Sequence, residues 1–195
     1  MRYEKGHKEA TRQRIVETAA ARFRKDGIEG VGLADLMAEA GLTHGGFYSH
    51  FSSKEDLVRA AVEEASCVSS SRFAKRTEEG GLESWIRFYL QTSHRDHPER
   101  GCVAAALVGE LARHPDSTRE SFTENLSKVI SSISGLLPGR QTPEVKRRTA
   151  IAIFSTLIGA LQMARAVSDP ALSEEILEAG TNTALAMAQI KTHGR

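Results

Sequence analysis

One short stretch of this chain carries a phenol, an imidazole and an ammonium group, on Tyr48, His50 and Lys54. Each group can donate a hydrogen bond to a phosphate oxygen, and such contacts contribute affinity for a nucleic acid while carrying little sequence information. Just before them stand Thr43 and His44, whose side chains can reach the edges of bases. These residue types in this order favour contact with a phosphate backbone and its bases.

Glycines lie among these side chains. Gly41 can adopt the positive φ of a tight turn between two helices, and Thr43 can cap the following helix with its hydroxyl. Gly45 and Gly46 cost that helix about 1 kcal/mol each relative to alanine. Their missing side chains would let the backbone lie close to a phosphate strand or a groove floor, as in a recognition helix. The alternative interpretation is a poorly formed turn.

Short amphipathic helices are the elements that must position this stretch. Apolar residues recur at helical spacing from Lys8 to Lys25, and Gly27 ends that first helix. A second helix is predicted from Leu33 to Ala40. The third, from Thr43 to about His50, would complete a compact helix-turn-helix unit with Phe47 and Phe51 in its core.

Longer helices follow this unit. Ser53 is a good N-cap for a fourth helix that extends to about Arg76 and is long enough to join two domains. All five prolines come after residue 97 and punctuate further apolar periodic segments. Five more helices are predicted, over residues 82–93, 102–113, 117–136, 143–166 and 172–190. The predicted fold is therefore all-α, with about nine helices.

The predicted domain boundary follows Leu57. Residues 1–57 would form a three-helix DNA-binding domain, and residues 58–195 a helical bundle for ligand binding and dimerisation. The helix predicted from Pro143 to Ala166 is apolar nearly all round and is expected to be buried on most sides. Together with the last helix it carries more apolar surface than one core needs, which indicates a homodimer.

Charge is concentrated at the amino end. Met1 to Lys25 carries eight Lys or Arg against three Glu, whereas the whole chain has a net charge of only +1. A basic amino end on a mildly acidic body suits an anionic partner. The alternative is an ordinary solvated helix face.

With these features the chain resembles the tetracycline-repressor (TetR/AcrR) family of bacterial transcriptional regulators, most strongly over residues 10 to 60. The residues that carry the resemblance are Thr11, Arg12, Ile15, Ala19, Phe23, Gly27, Asp35, Leu36, Ala40, Gly41, Leu42, Thr43, Phe47, Tyr48, His50, Phe51 and Lys54. The resemblance implies a homodimeric repressor that binds a double-stranded DNA operator. It also implies a variable carboxy-terminal domain that holds a small effector and dimerises through its last two helices.

Several residues take DNA-binding roles by this resemblance. The matching positions are Thr11, Arg12, Thr43, His44, Gly46, Tyr48, His50 and Lys54. The first two would brace the DNA backbone from the first helix, and the last three would contact phosphates. Gly32 departs from the family pattern, since many members have Ser or Thr there to cap the second helix.

The second domain contains large apolar side chains that would suit a hydrophobic or aromatic effector. The residues predicted to contact it are Trp85, Tyr89, Cys102, Phe122 and Phe154. Most residues of this type in a bundle simply pack in the core. Trp85, Tyr89 and Phe122 are favoured, since large amphipathic rings can both contact and orient a ligand.

The sequence is also compatible with three other functions. Cys102 follows Arg100-Gly101 near a predicted helix start, where the macrodipole and nearby cations favour a reactive thiolate, so the scaffold could sense electrophiles or oxidants. A buried, inert Cys102 is the alternative. A ligand-carrier or interaction protein without DNA binding is a further candidate, as is an enzyme, for which Cys102 and nearby histidines lack a joining motif.

The expected setting is the bacterial cytoplasm. The amino end has no apolar signal region, and the most apolar stretch, Ala150 to Leu161, is too short to span a bilayer. Cys67 and Cys102 are expected as reduced thiols. His94 and His97 could ligate a metal with His114 or Glu110, but a solvated polar loop is the default. No cofactor, metal, membrane contact or catalytic residue is predicted.

Overall fold

A computed structural model describes the backbone of residues 2–190 and the side chains of residues 6–190. Its regular elements are all helical across this range, as the sequence predicts. The amino-terminal elements are α1 (Arg2–Asp26), α2 (Leu33–Glu39), a 3₁₀ helix (His44–Ser49, hereafter the recognition segment) and α3 (Lys54–Tyr89). The later elements are α4 (Thr92–Asp96), a second 3₁₀ helix (Pro98–Arg100), α5 (Val103–Leu111), α6 (Asp116–Leu136), α7 (Pro143–Ala166) and α8 (Pro170–Met187).

The end of α1 and the start of α3 follow the predicted signals. Gly27, directly after α1, has φ +79°, a value that glycine adopts without strain. The Ser53 hydroxyl accepts a hydrogen bond from the backbone N–H of Asp56 at 3.1 Å and caps α3. Asp169 caps α8 in the same way, through the N–H of Ala171 at 2.9 Å. Pro170, at the start of α8, occupies a position where a missing N–H costs nothing.

Helix α3 contains a break. Gly80 and Gly81 have non-helical dihedral angles, and Gly81 lies at φ +66°. The sequence predicts a helix ending near Arg76 and a new one from Leu82, and the structure places the break between those positions. Since a side chain at Gly81 would be strained at this φ, the glycine determines where the helical path is interrupted.

The chain divides into two compact units. The first comprises Met1–Val68 and Pro98–Thr123, and the second comprises Ser69–His97 and Glu124–Arg195. The first unit thus includes a segment from the middle of the chain that the sequence-based division assigns to the second domain. The assignment of DNA binding to residues 1–57, and of ligand binding and dimerisation to residues 58–195, stays a prediction.

The first unit is built around one apolar core. Phe47 and Phe51 are 0% and 2% exposed, which confirms their predicted core positions. Around them pack apolar residues of α1, α2, α3 and α5, among them Ile15, Phe23, Leu36, Met37, Leu57 and Leu107. A polar network closes the unit, because Glu55 accepts hydrogen bonds from the Thr118 hydroxyl and, at 2.9 Å, pairs with His114 Nδ1.

The second unit is organised by the packing of α7 on α8. Six residues of α7 are buried: Ala150, Ile153, Phe154, Leu157, Leu161 and Ala164. The opposite side is open, with Ile151 41% and Met163 59% exposed, so the prediction that this helix is buried on most sides is wrong for the single chain. By length and composition alone α7 could also cross a membrane. Exposed apolar residues on one side of a helix, as on α7, are equally typical of a helix that packs against another protein surface.

Candidate nucleic-acid interface

The turn before the recognition segment is closed by two backbone hydrogen bonds. The N–H of Gly41 donates to the carbonyl of Ala38, and the N–H of Leu42 donates to that of Met37, both at 2.9 Å. Together they form a Schellman motif, which requires a left-handed residue after the helix. Gly41 supplies it with φ +72°, as predicted. The turn fixes the direction in which the chain leaves α2.

The recognition segment is a 3₁₀ helix and not the α-helix predicted from Thr43 to His50. Gly45 and Gly46 explain the difference, because two adjacent glycines weaken the propensity for an α-helix. Thr43 occupies the N-cap with extended dihedral angles, but its hydroxyl makes no capping hydrogen bond, so the predicted side-chain cap is wrong. The Ser49 hydroxyl instead donates to the carbonyl of Gly46 at 2.6 Å and holds the end of the segment.

Tyr48 projects from this segment. Its side chain is 66% exposed, while the neighbouring Phe47 is fully buried. The two rings meet edge-on at 5.2 Å between centroids, and His44 approaches the Tyr48 ring at 6.3 Å. Thr43 and His44 are also exposed, and Gly46 is half-buried. Because the Phe47 ring is buried, the Tyr48 phenol and the His44 imidazole lie on the outer surface of the recognition segment.

A groove runs between α1 and the end of the recognition segment. Its lining residues are Lys8, Glu9, Arg12, Ser49 and His50. The Arg12 guanidinium lies over the Phe51 ring at 4.8 Å, a cation–π contact that holds the charge at the groove while Phe51 stays in the core. The predicted residues Arg12 and His50 thus lie together, and the structure adds Lys8 and Ser49.

His50 has an unusual environment at this groove. Its Nδ1 atom is buried and has no hydrogen-bond partner among the residues that the structure describes. Burial lowers the pKa of His50, and the positive charges of Lys8 and Arg12 lower it further, while Glu9 opposes them. Burial and the two nearby cations therefore favour the neutral imidazole in the free protein.

Lys54 has an internal role. Its Nζ donates hydrogen bonds to the carbonyl oxygens of Ile28 at 2.8 Å and Val31 at 3.0 Å, which lie in the connection between α1 and α2. The ammonium group thereby holds that connection against the start of α3. Its predicted phosphate contact stays a prediction, and the structural role is one that the sequence pattern did not indicate.

Thr11 faces inward. It is 7% exposed, and its hydroxyl donates to the carbonyl of His7 at 2.8 Å, within α1. A threonine hydroxyl bonded to the preceding helical turn is satisfied without an external partner. Contact between Thr11 and DNA stays a prediction, whereas the exposed face of α1 near the groove is formed by Lys8 and Glu9.

The residues predicted to contact an effector are divided between the two units. Trp85, Tyr89 and Phe154 are buried in the second unit, with the Trp85 centroid 5.4 Å from Tyr89 and 6.3 Å from Phe154. Cys102 and Phe122 belong to the first unit, where Phe122 packs against the apolar core. The three aromatic residues thus form one cluster, and their contact with an effector stays a prediction.

His94 adjoins this aromatic cluster. Its ring meets the Tyr89 ring edge-on at 4.8 Å, and its Nδ1 lies 2.7 Å from the Tyr89 carbonyl oxygen. Burial is the main cause that lowers the pKa of His94 to about 4, with contributions from Arg72 and Arg165. Among the side chains of residues 6–190, no three His, Cys, Asp or Glu converge in a metal-binding group.

Comparison with known proteins shows similarity to helix-turn-helix transcriptional regulators. Residues 15–61 match the profile of the family described as bacterial regulatory proteins, tetR family. The chain is 35% identical to the HTH-type transcriptional repressor AcnR of Corynebacterium diphtheriae over 116 residues, 58% of this chain and 56% of AcnR. It is 24% identical to the HTH-type transcriptional repressor NemR of Escherichia coli over 129 residues, 65% of each chain.

Solved structures agree on the fold. A TetR transcriptional regulator from Chloroflexus aurantiacus superposes with a TM-score of 0.73 at 26% identity, covering 97% of this chain and 96% of that one. The reduced form of E. coli NemR gives a TM-score of 0.70 at 22% identity, covering 90% of this chain and 95% of that one.

The matched sequence segments span only 18% to 65% of the length of the curated relatives.

Proposed function

We propose that the chain, whose residues 15–61 match the tetR family of bacterial regulatory proteins, is a member of that family and a homodimeric repressor released from its DNA operator by a small hydrophobic or aromatic effector. The observation that carries the DNA-binding part is the exposed Tyr48 ring, held outward by the buried Phe47 beside a groove with two cations. This surface presents Thr43 and His44 to base edges and basic groups to phosphates. Both repressor names among the relatives, AcnR and NemR, support the direction of regulation.

Dimerisation through α7 and α8 accounts for their open apolar faces. Ile151 and Met163 on α7 and Leu172 and Met187 on α8 are 37% to 59% exposed in the single chain. A second copy of the same helices would cover them in an isologous contact. The two recognition segments would then contact half-sites about one helical turn apart, or a multiple of it, on a near-palindromic operator. Such a dimer acts in the cytoplasm, and α7 packs on protein instead of lipid.

The effector part of the proposal is supported by the aromatic cluster of Trp85, Tyr89 and Phe154. The proposed dimer has two arrangements that differ in the distance between the two recognition segments. An effector that binds one arrangement more tightly than the other increases the population of that arrangement. A coupling of about 1–3 kcal/mol is enough for a typical allosteric response. Helix α3 is the proposed connection, because it contributes residues to both units.

A mobility-shift assay with the intergenic DNA upstream of the protein's own gene tests this function. The wild-type protein is expected to retard this fragment in the presence of excess unrelated DNA, and Tyr48→Phe and Arg12→Gln are expected to weaken the complex. A protein with Lys75→Gln, which alters an exposed lysine of the second unit, serves as the charge-matched control. Equal retardation of intergenic and unrelated DNA would contradict the proposal.

A thiol-based response through Cys102 is the second candidate. Cys102 is half-buried, forms no disulfide and occupies the N-cap position of α5, at the positive end of the helix dipole. An electrophile that modifies it would act within the first unit. Release from DNA by reactive aldehydes or quinones is expected to be lost in Cys102→Ser under this candidate, and unchanged release in that variant rules it out.

A further inference from the structure

The recognition segment contains two glycines that its own packing does not require. A β-carbon at Gly45 would meet no described atom within 4 Å outside its neighbours in the chain, and one at Gly46 would lie 3.7 Å from Thr43 Oγ1, an ordinary contact distance. Neither of these two described residues has the positive φ that favours glycine at Gly41, in the preceding turn. Alanine therefore fits at both positions, and the two glycines act through the type of helix that they allow.

Hydrogen bonds define that helix type. The N–H of Gly46 donates to the carbonyl of Thr43 at 3.0 Å, the three-residue step of a 3₁₀ helix. At the other end, the N–H of Phe51 donates to the carbonyl of Phe47 at 3.0 Å, the four-residue step of an α-helix. The 3₁₀ form extends over the six residues His44–Ser49, whereas most such helices span about three or four. Two adjacent glycines account for this length, because they lower the propensity for the competing α-helix relative to alanine.

We propose that Gly45 and Gly46 are positioning residues for base reading, because they hold the recognition segment in the 3₁₀ form and thereby set the direction of the His44 side chain. The inference rests on the proposed DNA binding and adds a determinant of sequence preference that acts through helix geometry instead of through a side chain. Phe47 is the fixed point of this geometry, since its ring is fully buried and stacks on Phe51 at 5.5 Å between centroids.

Helix geometry gives the size of the effect. A 3₁₀ helix turns by about 120° per residue and an α-helix by about 100°, so the direction of His44, three residues before the fixed Phe47, differs by about 60° between the two forms. Its position along the helix axis differs by about 1.5 Å. The direction of Tyr48, one residue after Phe47, differs by only about 20°. A change of helix type therefore redirects the exposed His44 toward other base edges and leaves the Tyr48 phenol nearly in place.

The first experiment compares the sequences that the full-length wild type and the double variant Gly45→Ala, Gly46→Ala select from random duplexes. The double variant is expected to enrich a different sequence in each half-site, because its His44 is redirected. Gly109→Ala, the same replacement at an open position of α5, is the matched control and is expected to keep the wild-type sequence. An unchanged sequence in the double variant, at equal or weaker affinity, would overturn the proposal, and so would the loss of all enrichment. Failure of the wild type to enrich any sequence would instead contradict the proposed function.

The second experiment determines the helix type and the stability of the same proteins. In NMR spectra, NOE contacts between residues two apart are typical of a 3₁₀ helix, and contacts between residues four apart are typical of an α-helix. Over His44–Ser49 the wild type is expected to show the first pattern and the double variant the second. Urea denaturation is expected to find the double variant at least as stable as the wild type, because alanine fits and favours a helix. A new sequence preference with an unchanged 3₁₀ pattern, or a loss of stability, would overturn the proposal.

Discussion

The Glu110 carboxylate on α5 accepts a hydrogen bond from the backbone N–H of Ile28 at 2.8 Å, directly after the turn that ends α1. Gly27, at the turn itself, leaves room for this carboxylate, because a β-carbon there would lie 3.0 Å from Glu110 Oε1. The carbonyl oxygen of Ile28 accepts a hydrogen bond from Lys54 Nζ. Two charged side chains from distant parts of the sequence thus hold the connection that leads into the helix-turn-helix.

Removal of the carboxylate tests this relationship. Glu110→Ala is expected to lower the free energy of unfolding by about 1–3 kcal/mol, because a part-buried backbone donor loses a charged acceptor. Urea denaturation followed by circular dichroism measures the change, with Glu120→Ala on the exposed face of α6 as control. Equal stabilities of the two variants would show that the contact contributes nothing.

Lys54 allows its two possible roles to be separated. Lys54→Met keeps most of the aliphatic stem but leaves the carbonyls of Ile28 and Val31 without their donor, so the free energy of unfolding is expected to fall by about 1–3 kcal/mol. Lys75→Met, at an exposed position of α3, is expected to leave stability within about 0.5 kcal/mol of the wild type. If Lys54→Met weakens DNA binding without loss of stability, the lysine acts on phosphate alone and the internal role is wrong.

His94 makes stability depend on pH. Its folded-state pKa of about 4 lies below the ordinary value of 6.5, so the unfolded chain takes up the proton first as pH falls. Stability that is complete above about pH 6.5 is therefore lost toward pH 4, and the loss from this group between pH 7 and pH 5 is about 2 kcal/mol.

Chemical denaturation at the two pH values measures this effect. His94→Gln is expected to lose less stability between pH 7 and pH 5 than the wild type, whereas the exposed His97→Gln is expected to lose as much. A wild-type pH dependence in His94→Gln would contradict the buried, neutral imidazole.

Gly180 is a packing glycine inside α8. A β-carbon there would lie 2.5 Å from the Ala160 β-carbon and 3.0 Å from Leu90 Cδ1. Gly180→Ala is therefore expected to destabilise by about 1–3 kcal/mol through overpacking, although alanine favours a helix by about 1 kcal/mol. Gly109→Ala in α5, where no atom lies within 4 Å, is expected to stabilise. Stabilisation in both variants would contradict the close approach of α7 and α8.

Local sequence signals predicted much of this fold because they act over a few residues. Gly27 and Gly41 have the positive φ that their positions after helices indicate, and Ser53 caps α3. Phe47 and Phe51 occupy the core positions that were predicted for them. Such features depend on backbone sterics and amphipathic periodicity, which are determined by residues close together in the sequence.

Long-range contacts were not predictable in the same way. Residues 98–123 pack in the first unit through the contacts of Glu110, His114 and Thr118, none of which leaves a periodic signal. Arg12 and His50 were predicted singly and Lys8 was not, because the position of His50 opposite both cations depends on the 3₁₀ geometry of the recognition segment. That geometry follows from two adjacent glycines, whose effect on helix type competes with tertiary packing.

The most direct test of sequence-specific DNA binding by a dimer is selection from a library of random duplexes with the purified protein. Sequencing of the bound fraction is expected to recover a near-palindrome whose half-sites lie about one helical turn apart, or a multiple of it. Arg12→Gln is expected to reduce the enrichment without changing the sequence, and His44→Ala to relax the preference at one position of each half-site. A bound fraction with no enriched sequence would contradict the account.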